Sequence, residues 1–172
     1  MTFDAHGDSP VHVPLIRREV SKIDYSRPPR IGLVYSSENW DDMEALVNDL
    51  RYELTDTYNI SPIQLKTTQA ESIYDLPLFI SHLNSRCDIV LALGVVYRNA
   101  PDYEPRLVTA LTQRLSGTII SRIPVFDCIL VRQSRVQLEE HVKLLKSGGS
   151  GFGKIWASRA IDAFNVLSKP AI

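Results

Sequence analysis

Residues 87–97 read CDIVLALGVVY, and between Asp88 and Tyr97 no side chain can hydrogen bond. A run that is apolar at every position does not alternate a buried face with a wet one. It belongs to a strand covered on both sides, the setting of a parallel sheet. The other strand candidates are RIGLVYS (30–36), IQLKTT (63–68) and IPVFDCILV (123–131). Between and after them lie helical patterns. Asn39 with Asp41 and Asp42 offers an N-cap and an acidic first turn, and Met43, Leu46, Val47, Leu50 and Leu54 mark one helical face. DLPLFISHLNS, PRLVTALTQRLSGTI, VQLEEHVKLLKS and GKIWASRAIDAFNVLS supply four more helices. Strands alternating with amphipathic helices imply right-handed crossovers and an α/β fold: a three-layer, flavodoxin-like sandwich around a four-stranded parallel sheet.

The 172 residues suit one domain with a sizeable core, since a domain of about 150 residues buries roughly 70% of its unfolded surface. Residues 1–29, rich in Pro, Asp and Ser, read as an extended N-terminal arm, in which Val11, Val13 and Leu15 can pair with a sheet edge; the α/β domain spans 30–172. Nineteen Lys and Arg against 20 Asp and Glu leave no basic footprint for nucleic acid or an anionic membrane. Small molecules and protein surfaces are the expected partners. Cys87 and Cys128 sit in apolar runs, as buried thiols of a reducing compartment do. With no apolar leader and no stretch of about 18 apolar residues, a cytoplasmic location is expected.

Ligands of such sheets bind beyond the carboxyl ends of the strands. That rule selects SSENW, QAESIYD, RNAPDYE and LVRQS, and with them Glu38, Tyr74, Asp75, Asp102, Tyr103 and Glu104; Asp127, within the fourth strand, is added to these carboxylates. His6, His12, His82 and His141 have no metal-ligand spacing, so no metal is expected, and His82 and His141 read as helix-surface residues. GGSGFGKI (148–155) has the G-x-x-x-x-G-K spacing of a phosphate loop, but Ile155 stands where Ser or Thr should hold Mg²⁺ and a helix precedes it instead of a strand. What survives is a glycine-rich helix N-terminus beside Lys146 and Lys154, suited to an anion, or simply a solvated turn.

RIGLVYSSENW, SIYDLP, CDIVLALGVVYR, IPVFDCIL and GGSGFGKIWASRAIDA, in this order, resemble the 6,7-dimethyl-8-ribityllumazine synthase family over about residues 30–168. The resemblance implies pentamers or multiples of them, with active sites between neighbouring subunits. It also implies a cofactor-free condensation of a ribitylamino-pyrimidinedione with a phosphorylated dihydroxybutanone. Val95 and Val96 fall in the strand-three motif that lines the pocket, Tyr74 and Asp75 match the aromatic and acid of the ribityl-holding segment, and Arg98 and Lys154 match basic residues of the family pattern. Other positions depart from it. Ser72 and Ile73 replace a small pair, Lys146 replaces an arginine, and Asn99 and Ala100 replace Gly-x-Thr with one residue fewer. Asp102 takes the histidine position, and Glu38, beside Asn39, falls where a stacking aromatic is expected unless Trp40 serves instead.

Three functions fit this pattern. The first is an enzyme of the same pocket redirected to condensation, dehydration or cyclisation of a small carbonyl compound. There Asp102 or Glu104 is the acid/base, Tyr74 and Tyr103 are proton donors or stacking walls, and Lys146 or Lys154 is an electrophilic stabiliser or amine nucleophile. The others are a non-catalytic assembly or ligand-binding protein, and the original synthase with substituted residues.

Overall fold

The computed structural model describes residues 28–116 and 123–168. All but the last two residues of the expected arm, including Val11, Val13 and Leu15, lie outside them. Four strands, β1 (Ile31–Ser36), β2 (Leu65–Ala70), β3 (Ile89–Tyr97) and β4 (Val125–Arg132), form one parallel sheet in the order β2-β1-β3-β4. β2 starts two residues later than the apolar pattern implies, because Gln64 is held in a turn: its N–H donates to Ser61 O (2.8 Å) and its side chain accepts Ser61 N–H (2.9 Å).

Period-two alternation divides β3 between two cores. Ile89, Leu91, Leu93, Val95 and Tyr97 face one side, where α1 (Trp40–Tyr52), α4 (Arg135–Ser147) and α5 (Phe152–Leu167) pack. Val90, Ala92 and Val96 face α2 (Leu76–Leu83) and α3 (Pro105–Ser116). This is the three-layer sandwich that a doubly covered strand requires. Ile89, Leu91 and Leu93 are fully or almost fully buried, each stabilising the fold by about 1.5–3 kcal/mol before ordering entropy is subtracted. Among the described residues no helix is long and apolar enough to cross a membrane.

α5 leans on α1 through a glycine contact. A Cβ on Gly153 would stand 2.5 Å from the carbonyl carbon of Asp49 and 2.6 Å from Leu50 N, so only glycine lets the two backbones approach this closely. Asp49 uses the proximity: its carboxylate accepts the Gly153 N–H at 2.8 Å, satisfying a free donor of the α5 N-terminus and opposing the helix dipole. Gly153→Ala is expected to cost about 1–3 kcal/mol through overpacking and to lower Tm by several degrees. Gly148→Ala, whose Cβ would meet nothing closer than 3.5 Å, serves as the neutral control in the same thermal melt.

Candidate functional site

The connection from β1 to β2 runs toward one edge of the sheet, and that from β3 to β4 toward the other. The strand order therefore reverses between β1 and β3, and an open α/β sheet leaves a crevice at the carboxyl ends of two such strands. A cavity of about 240 Å³ occupies this point. Its walls come from Glu38 and Asn39 after β1, from Ile73 and Tyr74 after β2, from Val95, Val96 and Tyr97 at the end of β3, and from Ala100, Asp102 and Tyr103 in the loop beyond.

Two side chains tie the walls together. Asn39 is the N-cap residue of α1, but its left-handed backbone (φ 54°) gives no side-chain cap; Nδ2 instead donates to Val95 O at 2.9 Å, joining the end of β1 to the end of β3. Glu38 accepts the Ile73 N–H (2.9 Å), the Ser36 hydroxyl (3.2 Å) and the Ser72 hydroxyl (3.3 Å). It is thus a clamp between the β1 and β2 loops, and leaving the Ile73 N–H without it costs about 1–3 kcal/mol. Ile73, held by this clamp, fits the space left by Gly94, where a Cβ would lie 2.7 Å from its Cγ2.

The electrostatics are those of an acidic, phenol-lined recess. Burial first, then the nearby carboxylates of Glu38, Asp102 and Glu104 and the Tyr103 phenol, push the Tyr74 hydroxyl above the ordinary phenol range. Tyr74 accordingly keeps its proton at neutral pH and remains a donor. Tyr97 is likewise raised, chiefly by burial and then by donating to Asp42 Oδ2 at 2.5 Å. Arg135 braces that carboxylate from the far side, Nε to Oδ1 at 3.2 Å. Among the described residues no Lys, Arg or His lines the cavity, and no group of three His, Cys, Asp or Glu side chains is placed to hold a metal. The Cys87 and Cys128 thiols are buried and both raised by that burial, away from thiolate chemistry.

Of the residues selected from sequence, Glu38, Asn39, Tyr74, Val95, Val96, Asp102 and Tyr103 meet in this one cavity. Glu104 lies just outside it, near enough to act on Tyr74, with its carboxylate accepting the Arg106 N–H (3.1 Å) at the start of α3. Asp75 opens α2 beyond the cavity wall. Trp40 stands outside it, tilted against Tyr35 with ring centroids 5.7 Å apart. Arg98 turns to a different cleft, beside Arg132 and His141. Lys146 and Lys154 line a surface pocket of about 300 Å³ with Asp49 and Glu53, and Lys154 Nζ donates to Gly149 O at 3.1 Å. The helix N-terminus beside these lysines, read from sequence as an anion cradle or a solvated turn, already holds the Asp49 carboxylate. Asp127 pairs with Ala92 well short of the carboxyl edge, so it does not join the other carboxylates. Ile73, which the sequence placed in the ribityl-holding segment, is a cavity wall; sequence reasoning missed Tyr97, for which its place as the first hydrogen-bonding side chain after the apolar run was the available signal. His141, expected on a helix surface, is half-buried and engaged by Arg132.

The model of one family, 6,7-dimethyl-8-ribityllumazine synthase, matches residues 28–168, nearly the whole described fold. The chain belongs to that family. No curated protein matches it. For this lumazine synthase family member the switch-point cavity is the candidate site, and its walls are those of the strand motifs that the family match spans.

Asp127 supplies a test of the surrounding packing. Burial pushes its carboxyl above the usual carboxylate range, against the opposing Ile129 N–H that it accepts at 2.9 Å. The folded chain therefore binds this proton more tightly than the unfolded one. Stability falls as pH rises from the unfolded value, about 4, through the raised folded value, and stays lower above it. Asp127→Asn keeps an acceptor for Ile129 and removes the half-buried charge. Its Tm should exceed that of the parent at pH 7, with the gain shrinking as the pH approaches 4; a gain equal at both pH values would contradict the assignment.

Proposed function

We propose that this lumazine synthase family member acts, without a cofactor, on a small unphosphorylated carbonyl compound, by condensation, dehydration or cyclisation in the β1/β3 cavity. The observation that carries the reading is the cavity's lining: the carboxylates of Glu38 and Asp102 beside the phenols of Tyr74 and Tyr103, with no cationic side chain among the described walls. A phosphate placed about 4 Å from one such carboxylate meets a repulsion on the order of 4 kcal/mol per unit charge at an effective dielectric of 20. A neutral carbonyl meets none.

The roles follow from the chemistry of each group. Tyr74, held in its protonated form, donates to a carbonyl or carbinol oxygen and polarises it. Asp102, exposed at the cavity mouth, or Glu104 beside it, takes the proton from the adjacent carbon or the attacking nitrogen and returns it to the leaving hydroxyl. Tyr103, half-buried, forms the stacking wall. Glu38 holds the loops and is too fully engaged to be the base. We place the protein in the cytoplasm as a homo-oligomer, a pentamer or a multiple of one, in which a neighbouring subunit closes the cavity. A second reading, authentic lumazine synthesis, has one observation in its favour. Lys146 and Lys154 lie together on a face outside the Asp102 cavity, as a phosphate site contributed across a subunit interface requires.

The two readings separate in solution. Given the pyrimidinedione and the phosphorylated ketone, the assembled protein should form fluorescent lumazine no faster than the protein-free control. Given unphosphorylated dihydroxybutanone in deuterated water, it should accelerate deuterium uptake at the carbons beside the carbonyl. Asp102→Asn or Glu104→Gln should remove about 10²-fold of that acceleration. Catalysed lumazine formation, or deuterium uptake indifferent to both variants, would overturn the proposal.

A further inference from the structure

The loop after β3 has two sides. Ala100, Asp102 and Tyr103 face the acidic cavity, whereas Arg98 faces a second cleft of about 630 Å³ between the carboxyl end of β4 and α4. This volume falls in the range of small-molecule sites. Val131 and Leu144 supply its apolar surface, and Arg98, Arg132, Gln137 and His141 supply donors.

Arg132 is held in place from three sides. Its Nη1 donates to Val131 O (2.8 Å), its guanidinium carbon lies 5.9 Å from the centre of the Phe152 ring, and its Nη2 meets His141 Nδ1 at 2.8 Å. Arginine has no acceptor, so at this contact His141 Nδ1 accepts and the ring proton stays on Nε2. The imidazole is thereby fixed as a further N–H donor, packed edge-on against Phe152 with centroids 5.0 Å apart. Gln137 Oε1 is taken by the Gln133 N–H (2.6 Å), which leaves its amide nitrogen as the free end. Among the described residues neither Arg98 nor Arg132 has a carboxylate within ion-pair distance, although Glu140 lines the same cleft. Four side chains thus converge with donors, and neither arginine is ion-paired among the described residues.

We propose that this cleft is a second binding site, separate from the acidic cavity, for a small molecule bearing an oxyanion, a carboxylate or a phosphate ester. The planar fork of Arg98 matches the two oxygens of such a group, and Arg132, held in place by Val131 O and His141, adds its fixed positive charge and remaining N–H groups. Glu140 sets the polarity of the other end, favouring a hydroxyl or amine there and disfavouring a second anion.

The test is calorimetric titration of the assembled full-length protein with inorganic phosphate and with acetate, at ionic strength held constant by sodium chloride. At least one of the two should bind at one site per chain. Arg98→Gln should weaken that binding at least tenfold, and because Arg98 is exposed and makes no side-chain hydrogen bond among the described residues, this variant should fold as the parent does. Arg132→Gln should weaken it by a similar factor, whereas Lys143→Gln, which removes an exposed charge elsewhere on α4, should leave it unchanged. Absence of binding by both anions, or equal weakening by Lys143→Gln and Arg98→Gln, would overturn the proposal.

Discussion

Nothing in the central strand can hydrogen bond through a side chain from Ile89 to Val96, and every one of those residues but Val96 is buried. Its polar backbone is satisfied laterally, by β1 on one side and β4 on the other, and its side chains seal two cores at once. Polar chemistry is therefore expelled from the central strand to its ends. At the carboxyl end the chain changes character within a few residues, from Val95 and Val96 to Tyr97, Arg98 and Asp102. The reversal of strand order opens a crevice at that point. The site follows from the burial of the strand that leads to it.

The crevice is shaped by groups that also hold the fold. Glu38 bridges the β1 and β2 loops, Asn39 bridges β1 to β3, and Tyr97 reaches across to the Asp42–Arg135 pair that joins α1 to α4. Such preorganisation leaves Asp102 and Tyr103 on a loop whose base is fixed while their own side chains are partly open to solvent. The Asp102 carboxylate at the mouth and the Tyr74 phenol, which partial burial and the nearby carboxylates keep protonated, place a proton acceptor and a proton donor beside one small volume. That pairing is the basis for the carbonyl chemistry proposed above.

Much of this architecture was legible in the residues. The unbroken apolar run announced β3, the helical faces announced α1 and α5, and the loop positions of Glu38, Tyr74, Asp102 and Tyr103 led to a common cavity. What could not be read were side-chain choices between alternative partners. Asn39 has the right type and place for a helix cap, yet Val95 O, 56 residues away, captures its amide. The glycine-rich stretch before α5 has the composition of an anion cradle, but Asp49, 104 residues earlier, already occupies it. His141 carries no motif, and only the folding of α4 onto β4 brings it to Arg132. Local pattern sets the elements, whereas these pairings depend on contacts between distant parts of the chain.

The central claim is that the β1/β3 cavity selects a neutral carbonyl compound over a phosphate. It is tested most directly by a crystal structure of the assembled protein grown in phosphate buffer and soaked with unphosphorylated dihydroxybutanone. The account predicts the ketone seated between Tyr74 and Asp102, closed over by a neighbouring subunit, with no phosphate in that cavity. A phosphate hydrogen-bonded to the loop at Ala100 and Asp102 would contradict it.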